Sequence, residues 1–271
     1  MKISVVIPAR NEPYLKKTIE SLLENASGDI EIIAILDGYW PSFDEIVENP
    51  KVKYIHYSPA RGMRNAINAG VSITKGEFIL KCDAHTIWEK DYDIKLKNNC
   101  EPKMVVVPRR YALDPVKWQI EERTDDKFPV DYMYLDKELH GREWREKNID
   151  PALKQVLIDD LMSSQGSCWF MPKAYFEELE LMDEENYGQF SSEFQEIGLK
   201  AWLSGGRVVV NKAVYYGHWH KTEGRGYSLS DAEFKRGNEF AENWREFGKA
   251  WKKQKYPLEW LYEKFGPIPN L

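Results

Sequence analysis

The first 110 residues divide into short apolar blocks separated by polar or glycine-bearing breaks, and the blocks alternate between two spacings. Residues 3–8 form a nearly continuous, β-branched run, the pattern of a strand buried on both faces of a parallel sheet. Asn11 then offers an N-cap, Pro13 sits in the first turn, and Leu15, Ile19, Leu22 and Leu23 recur at helical spacing. Further strands are predicted over 30–36, 52–57, 77–82 and 104–107, with a helix over 60–74. Strands alternating with helices imply right-handed crossovers and a mostly parallel α/β sheet. Ligands of such sheets bind beyond the carboxyl ends of the strands, where Asp37 and Asp83 fall.

The pattern then changes. Residues 111–160 are polar and aromatic, with Trp118, Trp144 and many charges but little clean period, and are expected to form an excursion covering the site. Regular elements resume with a strand over 167–171, helices over 172–179 and 191–203, a stop at Gly205 and Gly206, and a last strand over 207–211. Ser230 and Glu233 have capping-box spacing, and Phe234, Phe240, Ala241, Trp244, Phe247 and Trp251 follow at helical intervals. That stripe is expected to pack on the main domain.

Composition narrows the class. With 271 residues and 42% hydrophobic content the chain can bury a full core. Its apolar runs end well short of the roughly 20 residues a bilayer span requires, so no transmembrane segment is expected. No apolar signal segment follows Met1 and Lys2, which makes the cytoplasm the expected location. Cys82, Cys100 and Cys168 lack the spacing of a disulfide framework or a thiolate zinc site and are expected to be reduced, mostly buried thiols. A net charge of -6 gives no global pull toward nucleic acid. Ten Trp and fifteen Tyr are mainly core, with some free to offer flat faces to bases and sugar rings.

The candidate chemistry centres on Asp83-Ala84-His85, at the end of an apolar strand. A carboxylate and an imidazole two residues apart can face one crevice and hold a divalent metal beside a diphosphate. After the last predicted strand, His218 and His220 flank Trp219, and either could complete the metal shell.

These segments have a familiar order. Residues 3–12, with Pro8, Arg10 and the Asn11-Glu12 pair, resemble the opening strand and nucleotide-side loop of glycosyltransferase family 2. Asp37-Gly38 resembles that family's acidic residue near the base or ribose, and residues 61–70 resemble the Arg-Asn segment preceding the metal strand, which implies that Arg61 and Arg64 face the nucleotide. The Asp-x-His form is closer to the catalytic domain of the polypeptide N-acetylgalactosaminyltransferases. Residues 165–171, with Gly166 and Ser167, resemble their strand beside the donor sugar. Residues 193–206 resemble their Glu-Asn-x-Glu helix with its Trp and paired Gly, and Gly217-His218 resembles the pair supplying their third metal ligand, favouring His218 over His220. Phe194 stands where that helix has Asn, and Tyr187-Gly188-Gln189 replaces a tryptophan-glycine-glycine, which leaves the donor sugar and acceptor open.

The resemblance implies a GT-A, Rossmann-like nucleotide-diphospho-sugar transferase fold over residues 1–222, with a nucleotide-binding half at 1–110, an acceptor and donor-sugar half at 111–222, and a helical extension at 223–271. It implies a glycosyltransferase using a nucleotide-sugar, UDP-sugar favoured, with Mn2+ or Mg2+ held by Asp83, His85 and His218 to stabilise the departing diphosphate; the small catalytic domain without a visible secretion signal suggests a bacterial or viral enzyme. Pro8, Arg10, Glu12, Asp37, Arg61, Arg64, Gly166 and Ser167 would line the donor, with Glu193 and Glu196 toward its sugar and the acceptor. The Asp-x-His and Glu-x-x-Glu segments favour a retaining mechanism; an inverting enzyme would use Glu193 as base. A glycan, a protein hydroxyl and a hydroxylated DNA base are all candidate acceptors, the last because residues 235–264 carry eight Lys/Arg against five Asp/Glu. The competing class is a non-catalytic nucleotide- or carbohydrate-binding protein on the same fold. Oligomeric state is left open.

Overall fold

Every residue of β1 (Ile3–Ala9) and of β2 (Ile30–Asp37) is buried, because helices cover the sheet from both sides. The computed structural model describes residues 1–121, 129–221, 224, 226–228 and 230–271. Between β1 and β2 lies α1 (Leu15–Asn25); β3 (Val52–Tyr57), α2 (Met63–Ser72) and β4 (Phe78–Cys82) follow. Alternation of side chains along the strands sorts the core into two layers. Val5, Ile7, Ile32 and Ala34 pack with Leu15, Ile19 and Leu22 of α1, whereas Val6, Ile33 and Ile35 pack with Met63, Ala66 and Ile67 of α2.

The chain continues through β5 (Thr86–Trp88), α3 (Tyr92–Asn98), β6 (Met104–Asp114), β7 (Gln119–Ile120), the hairpin of β8 (Met133–Leu135) and β9 (Gly141–Glu143), α4 (Arg145–Ile149), α5 (Pro151–Gln155) and β10 (Ile158–Asp160). Then come β11 (Cys168–Pro172), α6 (Lys173–Glu178), α7 (Glu184–Tyr187), α8 (Glu193–Leu203), β12 (Arg207–His218), α9 (Asp231–Ala241) and α10 (Leu258–Phe265). The large sheet runs β10-β12-β6-β11-β4-β1-β2-β3. Its pairings β1 with β2 and β4, β2 with β3, and β6 with β12 are parallel, while β11 enters antiparallel between β4 and β6.

Several expected boundaries move, each for a local reason. Asn11 is not an N-cap: it takes a left-handed conformation that Asn tolerates, and α1 starts only at Leu15 with Tyr14 at the cap position. Gly62, at φ 99°, delays α2 to Met63, and a side chain there would run into Gln189. β6 and β12 extend far past their apolar cores at 104–107 and 207–211, since they pair with each other as far as His218 and Ala112. The excursion at 111–160 proves to hold strands and helices of its own; its residues 122–128 lie outside the described residues, as does the expected domain boundary at 222/223.

The capping box at Ser230 and Glu233 forms as expected. The aromatic stripe is only partly a packing face. Trp244 and Trp251 join the core with Leu258, Leu261 and Phe265, but Phe234 and Phe247 are 51% and 59% exposed, and the helical period itself breaks where α9 gives way to a 3-10 turn at Glu242–Arg245. Cys82 and Cys168 are buried and Cys100 half-buried, all three as free thiols. Among the described residues no helix is long and apolar enough to cross a membrane.

At the amino-terminal ends of the strands, Glu31 ties four segments together. Its carboxylate accepts from Ser4 Oγ at 2.7 Å, Lys53 Nζ at 2.7 Å and the Lys75 amide at 2.6 Å. Burial pushes this carboxyl up, but these donors and the Lys53 charge outweigh it and bring it down from 4.5 to about 2. A folded-state value below the unfolded one stabilises the fold fully above pH 4.5, and the contribution disappears as pH falls toward 2. Urea unfolding of Glu31→Gln should therefore show a loss of up to about 3 kcal/mol at pH 7 that narrows below pH 4. A loss that did not depend on pH would contradict this assignment.

Candidate metal and nucleotide-sugar site

The carboxyl ends of β1 and β4 open onto a cleft of about 370 Å³. Pro8, Glu12, Asp83, His85, Gly166, Ser167, Glu193 and His218 all line it, with Met133 and Gly141 contributed by the hairpin of the 111–160 segment. Asp83 follows the last residue of β4 and is fixed by its amide, which donates to the Ser167 carbonyl at 2.9 Å. His85 lies just before β5. The length of β12 brings the remote histidine to it: β12 pairs antiparallel with β5, setting His218 opposite Thr86, and the Trp219 amide donates to the His85 carbonyl at 3.2 Å.

One ligating atom each from Asp83, His85 and His218 lie within 4.8 Å of one another. Asp83 Oδ2 is 3.1 Å from His218 Nε2 and 3.8 Å from His85 Nε2. His220 stands outside that group, its ring edge-on to His218 at 4.7 Å between centroids. Burial takes the His218 imidazole down from 6.5 to about 3 despite the adjacent carboxylate, so at neutral pH it is uncharged. Burial raises the Asp83 carboxyl, but Lys81, His218 and His85 outweigh it and hold the group well below the usual carboxylate range. A neutral imidazole and an ionised carboxylate are the forms a metal ion requires, and the His218 Nδ1 is buried with no hydrogen-bond partner. The donor set of one oxygen and two nitrogens fits a divalent ion that completes its shell with further oxygens.

Glu12 supports this group from behind. Its Oε2 lies 3.0 Å from His85 Nδ1, which leaves His85 Nε2 toward Asp83, and its Oε1 accepts from Lys221 Nζ at 2.5 Å. A carboxylate behind a ligating imidazole fixes the ring and its tautomer. Glu12→Gln is expected to weaken Mn2+ binding, measured by titration with UDP present, by about 10- to 100-fold. An unchanged affinity would remove this supporting role.

The other sequence-predicted residues divide sharply. Gly166 and Ser167 sit on the wall of the cleft; a methyl group at Gly166 would collide with the Glu193 carboxylate, and the Ser167 hydroxyl is bonded to Tyr216 at 2.7 Å. Asp37 does not face the cleft. Its carboxylate is fully buried and accepts the amides of Arg61 at 2.6 Å and Gly62 at 2.9 Å, so it shapes the loop entering α2. Arg61 is exposed, its guanidinium 4.5 Å over the Tyr57 ring, and Arg10 lies over the Tyr227 ring at 6.0 Å. Arg64 and Glu196 are both fully buried and bond one another; Arg64 also donates to the Ser191 carbonyl at 2.7 Å, and Glu196 accepts from Lys200 at 2.7 Å. Neither reaches the cleft, so the expected nucleotide-side and sugar-side places of this pair are not where the fold puts them.

Two further residues at the site carry little local sequence signal. Lys81, inside β4, is fully buried and donates to Asp83 Oδ1 at 2.8 Å, the Gly166 carbonyl at 2.6 Å and Glu193 Oε2 at 3.2 Å. Trp169 Nε1 donates to the other oxygen of Glu193 at 2.7 Å. A lysine within an otherwise apolar strand is the one hint that was available.

A mostly parallel sheet whose one interior antiparallel strand is β11, with acidic and imidazole groups at its carboxyl edge, is the architecture of the GT-A nucleotide-sugar transferase folds it superposes on. The chain belongs to glycosyl transferase family 2, whose model matches residues 4–180. It is 25% identical over 173 residues to glycosyltransferase GlyG of Streptococcus pneumoniae, covering 62% of this chain and 51% of that protein. It is 24% identical over 245 residues to a probable N-acetylgalactosaminyltransferase 7 of Caenorhabditis elegans, covering 81% of this chain and 39% of that one. The chain thus spans about half the length, or less, of these relatives. Among solved structures, GalNAc-T7 with UDP, GalNAc and Mn2+ superposes with a TM-score of 0.71 at 19% identity, covering 97% of this chain and 54% of that one. S. aureus TarS 1-349 in complex with UDP-GlcNAc gives 0.55 at 17% identity, covering 87% and 64%.

Proposed function

We propose that this chain transfers a sugar from a nucleotide-sugar to a hydroxyl acceptor, with a divalent cation, Mn2+ or Mg2+, held by Asp83, His85 and His218. The observation that carries the proposal is the gathering of those three side chains at the mouth of one cleft in a family 2 chain. A UDP-sugar is the favoured donor, since the similar folds were solved with UDP and with UDP-GlcNAc. When bound, the cation supplies positive charge to the diphosphate as it leaves. Glu12 orients the His85 ring, the Gly166 position leaves room for Glu193, and the burial of His218 keeps its ring uncharged.

Retention of anomeric configuration fits the state of Glu193. Both its oxygens already accept hydrogen bonds, from Trp169 and Lys81, which stabilise the ionised carboxylate and weaken it as a base. The inverting reading has its own support in the position of Glu193 on the cleft wall and in the burial that raises its carboxyl above the usual value. Proton NMR of the first product decides between them: an α-linkage from an α-donor supports retention, and a β-linkage supports Glu193 as base. Acceptors to be tried are glycans, protein hydroxyls and hydroxylated bases in DNA. A panel of UDP- and GDP-sugars assayed for Mn2+-dependent hydrolysis tests the function itself. Nucleotide binding without cleavage of any donor, with or without acceptors, would favour a binding protein on the same fold.

A further inference from the structure

Lys81 occupies a place that the proposed chemistry does not account for. Its side chain is 1% exposed, and its three ammonium hydrogens match three acceptors: Asp83 Oδ1 at 2.8 Å, the Gly166 carbonyl at 2.6 Å and Glu193 Oε2 at 3.2 Å. A buried ammonium among its own carboxylates is a resident cation, in place before any ligand arrives. It divides the two oxygens of Asp83. Oδ1 belongs to the lysine, and Oδ2 alone faces His218 and His85.

Charge is the second consequence. Asp83 and Glu193 bring two negative charges to the base of the cleft, and Lys81 cancels one of them; Lys221 lies 2.5 Å from Glu12 and offsets the remaining carboxylate behind His85. The protein alone thus offers a divalent ion one carboxylate oxygen and two imidazole nitrogens in surroundings of little net negative charge. A diphosphate would add what is missing.

We propose that Lys81 is a positioning residue that restricts Asp83 to one ligating oxygen and keeps the affinity of the bare protein for a divalent cation low, so that the ion is held firmly only together with the nucleotide. This rests on the metal-dependent reading above and deepens it. In that arrangement the same ammonium joins the ion-side carboxylate to the sugar-side carboxylate, Glu193, so the two walls of the donor cleft are set by one side chain.

The test is Mn2+ binding to the intact chain at pH 8, read as free Mn2+ by electron paramagnetic resonance, without nucleotide and with saturating UDP. Wild type should bind Mn2+ weakly alone and much more tightly with UDP. Lys81→Met, of similar length but uncharged, should bind Mn2+ alone about tenfold more tightly, and its gain from UDP should shrink. Glu193→Gln should move the other way by a similar factor, and the double variant should return near wild type. A purely structural lysine would not produce opposite signs in the two single variants. Lys81→Met binding Mn2+ as weakly as wild type overturns the proposal. If circular dichroism shows that this variant does not fold, Glu193→Gln decides: an affinity for Mn2+ alone equal to or above that of wild type overturns it. Wild type failing to bind Mn2+ even with UDP would sink the metal-dependent reading and this inference together, whereas tight nucleotide-assisted binding with indifferent variants would sink the inference alone.

Discussion

Asp83→Ala is expected to reduce metal-dependent cleavage of a nucleotide-sugar by about a thousandfold or more while the chain stays folded. Among the described residues, Asp83 Oδ2 is the one carboxylate oxygen within reach of both His85 Nε2 and His218 Nε2. Without it, two imidazoles remain, and neither can supply the negative charge that attracts a divalent ion. The fold should tolerate the change because the side chain is 28% exposed and Lys81 keeps Gly166 and Glu193 as acceptors. Loss of one hydrogen bond to a charged partner corresponds to about 1.5 to 3 kcal/mol of stability. Steady-state hydrolysis of the best donor, with thermal melts of both proteins, checks both halves. Activity within tenfold of wild type would remove Asp83 from the reaction.

Glu196→Gln should give the opposite profile, a loss of about 3 to 5 kcal/mol in unfolding free energy. Glu196 sits in the first turn of α8, fully buried between Arg64 of α2 and Lys200 one turn on, and it also accepts the Asp183 amide at 3.2 Å. Arg64 lies 4.8 Å over the Tyr187 ring and has no route to water. Removing the carboxylate's charge strands two buried cations at once, and breaking a buried pair costs far more than the pair contributes when intact. Urea unfolding is the appropriate measurement. A variant as stable as wild type but inactive would restore the catalytic place that the Glu-x-x-Glu spacing implied for this residue.

The contrast between Asp83 and Glu196 shows what was legible in the sequence. Strands buried on both faces announce themselves as unbroken apolar runs, so β1 and β2 were visible, and with them the carboxyl edge at which Asp83 emerges. The relation of Asp83 to His85 is local and was visible as a triplet. Their meeting with His218 depends on how far β12 extends and on its pairing with β5, 130 residues removed, which no local period encodes. The family resemblance supplied that link instead.

Asp37 illustrates the reverse. It lies at the end of β2, where ligands commonly bind, yet the turn before α2 brings two backbone amides to its carboxylate and consumes it. Whether a strand-end acid meets a ligand or a neighbouring loop depends on that loop's path. Lys81 escaped notice for a related reason: its three partners come from β4's own exit, the approach to β11 and the start of α8, segments separated by up to 112 residues. The same lack of local period concealed the hairpin and short helices within 111–160.

The most direct test of the whole account is anomalous diffraction at the manganese edge from crystals grown with Mn2+ and UDP. One strong peak is expected, bonded to Asp83 Oδ2, His85 Nε2 and a His218 ring nitrogen, and in contact with the diphosphate. UDP bound in the cleft with manganese elsewhere, or with none, would contradict it.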